Sequence, residues 1–245
     1  MTNPKASIII IGNEILSGRT LDTNTQEIAL RLGEIGIIVH ETRTIPDDKE
    51  LIIETTRHLS KKYDYVFTTG GIGPTHDDIT AEAIADAFNV KLVLNQTLYN
   101  ILKDHYANLG ESLNAAREKM AYIPESAILL SENNITLVPG FAINNVFVLA
   151  GIPRVMQVML KAAIPLLRGG TIVKSKSIEA MVGESKIAAE LTALQNKYRN
   201  VDLGSYPFTK NNKNGTCLVL RSTDYLDLDA AFDELKKIVD PYCSL

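Results

Sequence analysis

The feature that most constrains this chain is "ASIIII", residues 6–11, four consecutive isoleucines behind two small residues. A strand with one wet face alternates apolar and polar positions, whereas a continuously apolar strand has both faces covered. The run is too short to cross a bilayer and lacks the charged flank and cleavage site of a signal peptide. It therefore reads as a buried strand. The chain then alternates. "TQEIALRLGEIG" has apolar residues at helical spacing, "IIVHETRTI" reads as a strand and "PDDKELIIETTRHLSKK" as a helix with acids in its first turn. "YDYVFTT" is a third strand and "DDITAEAIADAFN" a third helix. Strand–helix alternation of this kind builds a parallel sheet covered on both faces.

Further along, "QTLYNILKDHYANL" and "SLNAAREKMAYI" read as helices. "NITLVPGFAINNVFVLAGIP" reads as two short strands joined by "INN", and "PRVMQVMLKAAIPLL" as a helix with proline in its first turn. "RGG", Arg168 to Gly170, is the candidate linker. Beyond it a strand, a helix, two strands around "TKNNKN" and a final helix predict a small α+β unit. The domains are therefore placed at 1–168 and 171–245.

With 45% hydrophobic and 22% charged residues the chain has the material for a real core. Its formal charge is −4 and it contains no basic block, which argues against a nucleic-acid partner held by phosphate contacts. Cys217 and Cys243 show no zinc-ligand spacing and read as reduced thiols, which places the protein in the cytoplasm with no membrane partner.

Chemistry concentrates after the third strand, in "TTGGIGPTHDDIT", residues 68–80. Ligands of open α/β sheets bind outside the carboxyl ends of the strands. Gly70, Gly71 and Gly73 permit close backbone approach, and backbone N–H groups at the next helix start can hold phosphate oxygens. The spacing is neither a Walker A loop nor a dinucleotide fingerprint, and no lysine follows it. Asp77 and Asp78 fall near the expected helix start, with Glu82 one turn after Asp78. Helix capping accounts for one such acid, but not for all three. Beside a phosphate, these carboxylates call for a divalent cation between protein and ligand. A second cluster, Asn13, Glu14, Ser17, Asp22 and Asn24, follows the first strand on the same sheet edge; Asp22 or Thr23 could equally cap the next helix. "VPGFAINN" and "AGIPR", with Arg154, are further rim candidates.

"IIIIGNEILSGRTLDTNTQEIALRLGEIGI" followed by "TTGGIGPTHDDITAEAIADAF" resembles the molybdopterin-binding-like domain of CinA-type competence/damage-inducible proteins. The same domain opens animal FAD synthases, and "THDD" with the later "ESKIAAEL…VDLGSYP" is most similar to the synthase version. The resemblance implies a three-layer α/β/α sandwich with a mostly parallel sheet, plus the small C-terminal α+β domain. It further implies metal-dependent hydrolysis of FAD or ADP-ribose by a nucleotide pyrophosphatase, with cobalt, manganese or magnesium and a potassium requirement. Asp78, Asp77 and Glu82 would be catalytic, and Asp78 with Asp22 would hold the metal. Gly70, Gly71, Gly73, Thr75, Glu14 and Asn24 would bind the ligand, and the protein would form a homo-oligomer. Molybdopterin binding, adenylyl transfer in molybdenum-cofactor metabolism and a non-catalytic nucleotide-binding module are the alternatives. Ala150 stands where the family usually carries proline. The chain stops at Leu245, so the expectation is that it neither makes FAD nor deamidates pyridine nucleotides.

Overall fold

The computed structural model describes residues 3–130, 140–210 and 213–243, the side chains of 213 and 243 excepted. The chain divides into two compact units, Met1–Gly170 and Thr171–Leu245.

The first unit runs β1 (Lys5–Ile11), α1 (Asn13–Leu16), α2 (Asn24–Glu34), β2 (Ile38–Ile45), α3 (Lys49–Lys62), β3 (Tyr65–Thr69) and α4 (Thr80–Ala87). It continues with β4 (Leu92–Leu94), α5 (Gln96–Asn108), α6 (Ala115–Glu118), β5 (Tyr122–Pro124), β6 (Ile128–Leu130), β7 (Gly140–Ile143), β8 (Val146–Leu149) and α7 (Pro153–Ala163). Six strands form one sheet in the order β2-β1-β3-β8-β7-β6. The first four are mutually parallel, and β8, β7 and β6 pair antiparallel.

The isoleucine run now has its physical reason. Alternate residues of a strand point to opposite faces. Ile9 and Ile11 enter a core with Ile52, Leu59, Ile84 and Leu98 from α3, α4 and α5. Ala6, Ile8 and Ile10 enter the other core with Ile28, Leu32, Met156 and Leu160 from α2 and α7. Helices on both faces of the sheet make the three-layer α/β/α sandwich.

Two local expectations are corrected. "SLNAAREKMAYI" is not one helix. Asn114 caps the single turn α6 through a bond from the Arg117 amide, a 3-10 turn spans Lys119–Ala121, and the backbone then extends into β5. Pro124 cannot continue a helix, and β5 instead pairs antiparallel with β4, Val93 opposite Ile123. Likewise α4 begins at Thr80, leaving Asp77 and Asp78 in the turn ahead of it.

The second unit comprises β9 (Lys174–Ala180), α8 (Ala188–Lys197), β10 (Asp202–Lys210), β11 (Lys213–Ser222) and α9 (Tyr225–Cys243). Its antiparallel sheet has the order β10-β11-β9. Leu218 and Leu220 pack with Leu191, Leu194, Leu228 and Leu235 into a separate core. Cys217 is a free thiol; the side chain of Cys243 lies outside the described residues.

On β2, Glu41 is hydrogen-bonded by Lys62 at 2.7 Å, Tyr63 at 2.6 Å and Arg43 at 2.7 Å. Those bonds, that of Lys62 first, lower its pKa to about 2 from the usual 4.5. A depressed carboxylate contributes stability above its unfolded pKa and loses it as pH falls through the folded one. Glu41→Gln should therefore lower the melting temperature by a few degrees at pH 7, a modest effect because the pair is partly solvent-screened. The gap to the wild type should close between pH 4.5 and about 2. A calorimetric pH series showing a constant gap would mean that the Glu41 charge does not contribute.

Candidate functional site

The glycine loop leaves the carboxyl end of β3 between the ends of its neighbours β1 and β8. Gly70 is buried at φ +104, and a Cβ there would lie 2.2 Å from the Ile11 carbonyl oxygen. Gly71 has φ +69, and its Cβ would lie 2.2 Å from Thr80 Oγ1. Both positions demand glycine for torsion and for space. The Thr80 amide donates to the Gly71 carbonyl at 3.0 Å and its hydroxyl to the Gly70 carbonyl at 3.0 Å, pinning the loop to the start of α4. Gly71, Ile72 and Gly73 are partly exposed residues, and their amides donate to no group among the described residues. Three consecutive amides without a partner in the turn are open to solvent or to an incoming acceptor. Successive amides in such a turn make an anion-binding concavity.

Asp78 closes the loop. Its Oδ2 accepts the Thr75 amide at 2.8 Å and also the Thr75 hydroxyl. Asp77 is exposed; the Thr75 hydroxyl and then its own amide hold its carboxyl below the usual range, with the charges of His76 and Lys119 adding less. Glu82 lies in the first turn of α4 and is paired with Lys49 of α3, whose ammonium also reaches Asp86 at 2.8 Å. These two carboxylates, Asp86 first, push the Lys49 pKa up.

Seven of the expected site residues line one of two clefts, whereas Gly70, Thr75 and Asp77 line neither. Gly71, Gly73, Asp78 and Glu82 line the first, over an apolar floor that includes Ile123 and Phe141. Glu14, Asp22 and Asn24 line the second with Thr69, Gly151 and Pro153. The first opens on the α4 face of the sheet, where Ile123 and Phe141 join the core, and the second on the α2 and α7 face. Asp22 Oδ1 accepts the amides of Asn24 at 2.9 Å and Thr25 at 3.2 Å, so it starts α2 as the capping alternative foresaw. Asn24 is 6% exposed and donates to the Gly151 carbonyl at 2.8 Å. Its Oδ1 is buried with no partner among the described residues. Arg154 is exposed and lines neither cleft. Ala150, unlike a proline, keeps an amide, which donates to Met159 Sδ at 3.2 Å. Of "VPGFAINN", residues 138 and 139 lie outside the described residues. Sequence reasoning missed Lys119, which lines the first cleft and donates to the Thr75 carbonyl at 3.0 Å.

Comparison with known proteins adds the following. The family model described as "Probable molybdopterin binding domain" matches residues 7–169, and that described as "FAD synthase, middle domain" matches 173–243. A protein of Archaeoglobus fulgidus is 37% identical over 200 residues, 82% of this chain and 84% of its own length. A protein of Pyrococcus furiosus is 37% identical over 199 residues, 75% of this chain and 77% of its own length. The crystal structure of the protein CinA of Thermoplasma acidophilum, whose function is unknown, superposes with a TM-score of 0.61 at 34% identity. That likeness covers 67% of this chain and 98% of the other.

The expected metal-dependent hydrolysis of FAD or ADP-ribose is corrected by these findings. Among the described residues no group of three or more His, Cys, Asp and Glu could hold a metal ion. Asp78 and Asp22 lie in different clefts, each bound to its own loop, and Glu82 is paired with Lys49. The matching family is described by molybdopterin binding, not by hydrolysis. The reading as a nucleotide pyrophosphatase does not stand. Among the described residues, no helix is long and apolar enough to cross a membrane.

Proposed function

We propose that this chain, which belongs to the molybdopterin-binding domain family over residues 7–169, binds a phosphorylated pterin or nucleotide at the carboxyl edge of its sheet. It would act in molybdenum-cofactor or nucleotide metabolism, as a binding protein or an adenylyl-transfer enzyme. The observation that carries this reading is the row of amides at Gly71, Ile72 and Gly73 with no partner among the described residues, in a turn too crowded for side chains at Gly70 and Gly71. Phosphate oxygens would accept those three N–H groups, as anions do at backbone concavities. Thr75 and Asp78 would hold the loop in shape through their mutual bonds.

The second cleft, with Glu14 and the unpartnered Asn24 oxygen, offers acceptors for the N–H edge of a heterocycle. Phosphate binding would not depend on a metal; a divalent cation accompanying the phosphates would have Asp78 in the first cleft and Asp22 in the second as single carboxylate ligands, as magnesium uses few of these. All these residues precede Gly170, so residues 1–168 would carry the site. The match of 173–243 to the FAD synthase middle domain supports kinship with that branch. A cytoplasmic homo-oligomer fits this reading.

Calorimetric titration with ADP, ATP and a pterin phosphate monoester tests it. Binding is expected, and a fragment ending at Gly170 should bind as tightly as the whole chain. Incubation of ATP with the pterin phosphate, read as pyrophosphate release, separates transfer from binding. Absence of binding by every ligand would end the proposal.

A further inference from the structure

A phosphate in the first cleft faces an electrostatic problem. Asp78 and Glu82 line the same cleft, and Asp77 directly precedes Asp78 in the loop. Like charges this close disfavour an anion unless a cation offsets them. Lys49 stands nearby, but its ammonium is bound to Glu82 and Asp86. Arg117 is likewise committed, to Glu111 and the Ser112 carbonyl, with its guanidinium 3.9 Å from the Tyr106 ring centre.

Lys119 differs from both. It lines the cleft beside Gly71 and Gly73, is half-buried, and has no carboxylate within 4.0 Å among the described residues. Its ammonium donates to the Thr75 carbonyl, a neutral acceptor in the glycine loop itself. An ammonium has three donors, so this bond leaves capacity for ligand oxygens. The backbone that carries it is anchored. Ala121, two residues on, is fully buried, and its carbonyl accepts the Asn95 amide at 2.9 Å. The 3-10 turn and β5 therefore deliver a charge to a loop that has no lysine of its own.

We propose that Lys119 is the cation of the glycine-loop cleft, pairing directly with a phosphate of the ligand whose backbone contacts are the amides of residues 71–73. The inference rests on the phosphate-binding reading above and deepens it. Lys119 makes the cleft select phosphate monoesters and diphosphates over the uncharged nucleoside or pterin, with no bridging metal required.

The test is titration calorimetry of the whole chain with ADP and with inorganic pyrophosphate, in EDTA, at low and high ionic strength. Wild type, Lys119→Met and Lys119→Arg are compared. Loss of one charge-assisted hydrogen bond should weaken ADP binding by roughly ten- to a hundredfold in the methionine variant. Arginine should keep affinity within a few-fold. The salt dependence of ADP binding should be shallower in the methionine variant, because one fewer screened attraction remains. A merely structural role, holding Thr75, would weaken binding without changing the salt dependence, and that result overturns the proposal. So does undiminished ADP affinity in the methionine variant. Wild-type binding that appears only when magnesium replaces EDTA would give the neutralising role to a metal, overturning Lys119 while leaving the phosphate site standing. No binding by the wild type under either condition would overturn both.

Discussion

Gly71→Val is expected to weaken ADP binding by at least about a hundredfold, equivalent to roughly 3 kcal/mol. Two effects combine. At φ +69 a β-branched residue is a genuine conformational outlier, and such strain costs about 1–3 kcal/mol. The new Cβ would also meet Thr80 Oγ1 at 2.2 Å, which displaces the hydroxyl from the Gly70 carbonyl. The turn must then open, and the amides of residues 71–73 shift with it. The same collision lowers the stability of the first unit, so affinity has to be measured well below the variant's melting temperature, with circular dichroism as the check on folding. Gly71→Ala should show the same direction with a smaller loss. Full affinity in a folded valine variant would mean that the loop is only a turn.

The second large effect concerns the scaffold. Phe67 on β3 is fully buried and stacks on Phe147 of β8, with ring centres 5.1 Å apart. Phe67→Ala removes the largest fully buried side chain among the described residues and leaves a cavity between the sheet and α2 and α7, at a cost of about 3–5 kcal/mol. For a domain of this size the midpoint of the first unit should fall by roughly 10 °C. The second unit has its own core around Leu218 and Leu220, and its amides on β11 should keep their exchange protection. Hydrogen exchange with mass detection reads both units in one experiment. Equal loss of protection in both would show that they unfold as one.

Much of the scaffold was legible in the residues. The unbroken isoleucines of β1 demanded two covered faces, and Ile8 and Ile9 do enter different cores. The glycines after β3 announced a turn with special torsions, and Gly70 and Gly71 both have positive φ. These signals are local: periodicity and backbone freedom belong to neighbouring residues and survive in a string of letters. The failures were also physical. "SLNAAREKMAYI" has helical spacing, but the pairing of β5 with β4 overrides its propensity. Asp78 looked like the metal-holding carboxylate of the loop, whereas its carboxylate accepts the Thr75 amide inside the turn. Glu82 looked available until the packing of α3 on α4 placed Lys49 beside it.

The sequence by itself determined the layered α/β unit, the small α+β unit after Gly170, and the glycine turn after β3 with its positive torsions. Only the tertiary structure decided how the charges were shared. It separated Asp22 from Asp78 into two clefts and neutralised Glu82 with Lys49. It also carried Lys119 across 44 residues of chain to the Thr75 carbonyl. Covalent neighbours set torsion and periodicity, but electrostatic partners are set by distance in space. That distance depends on how the strands and helices pack.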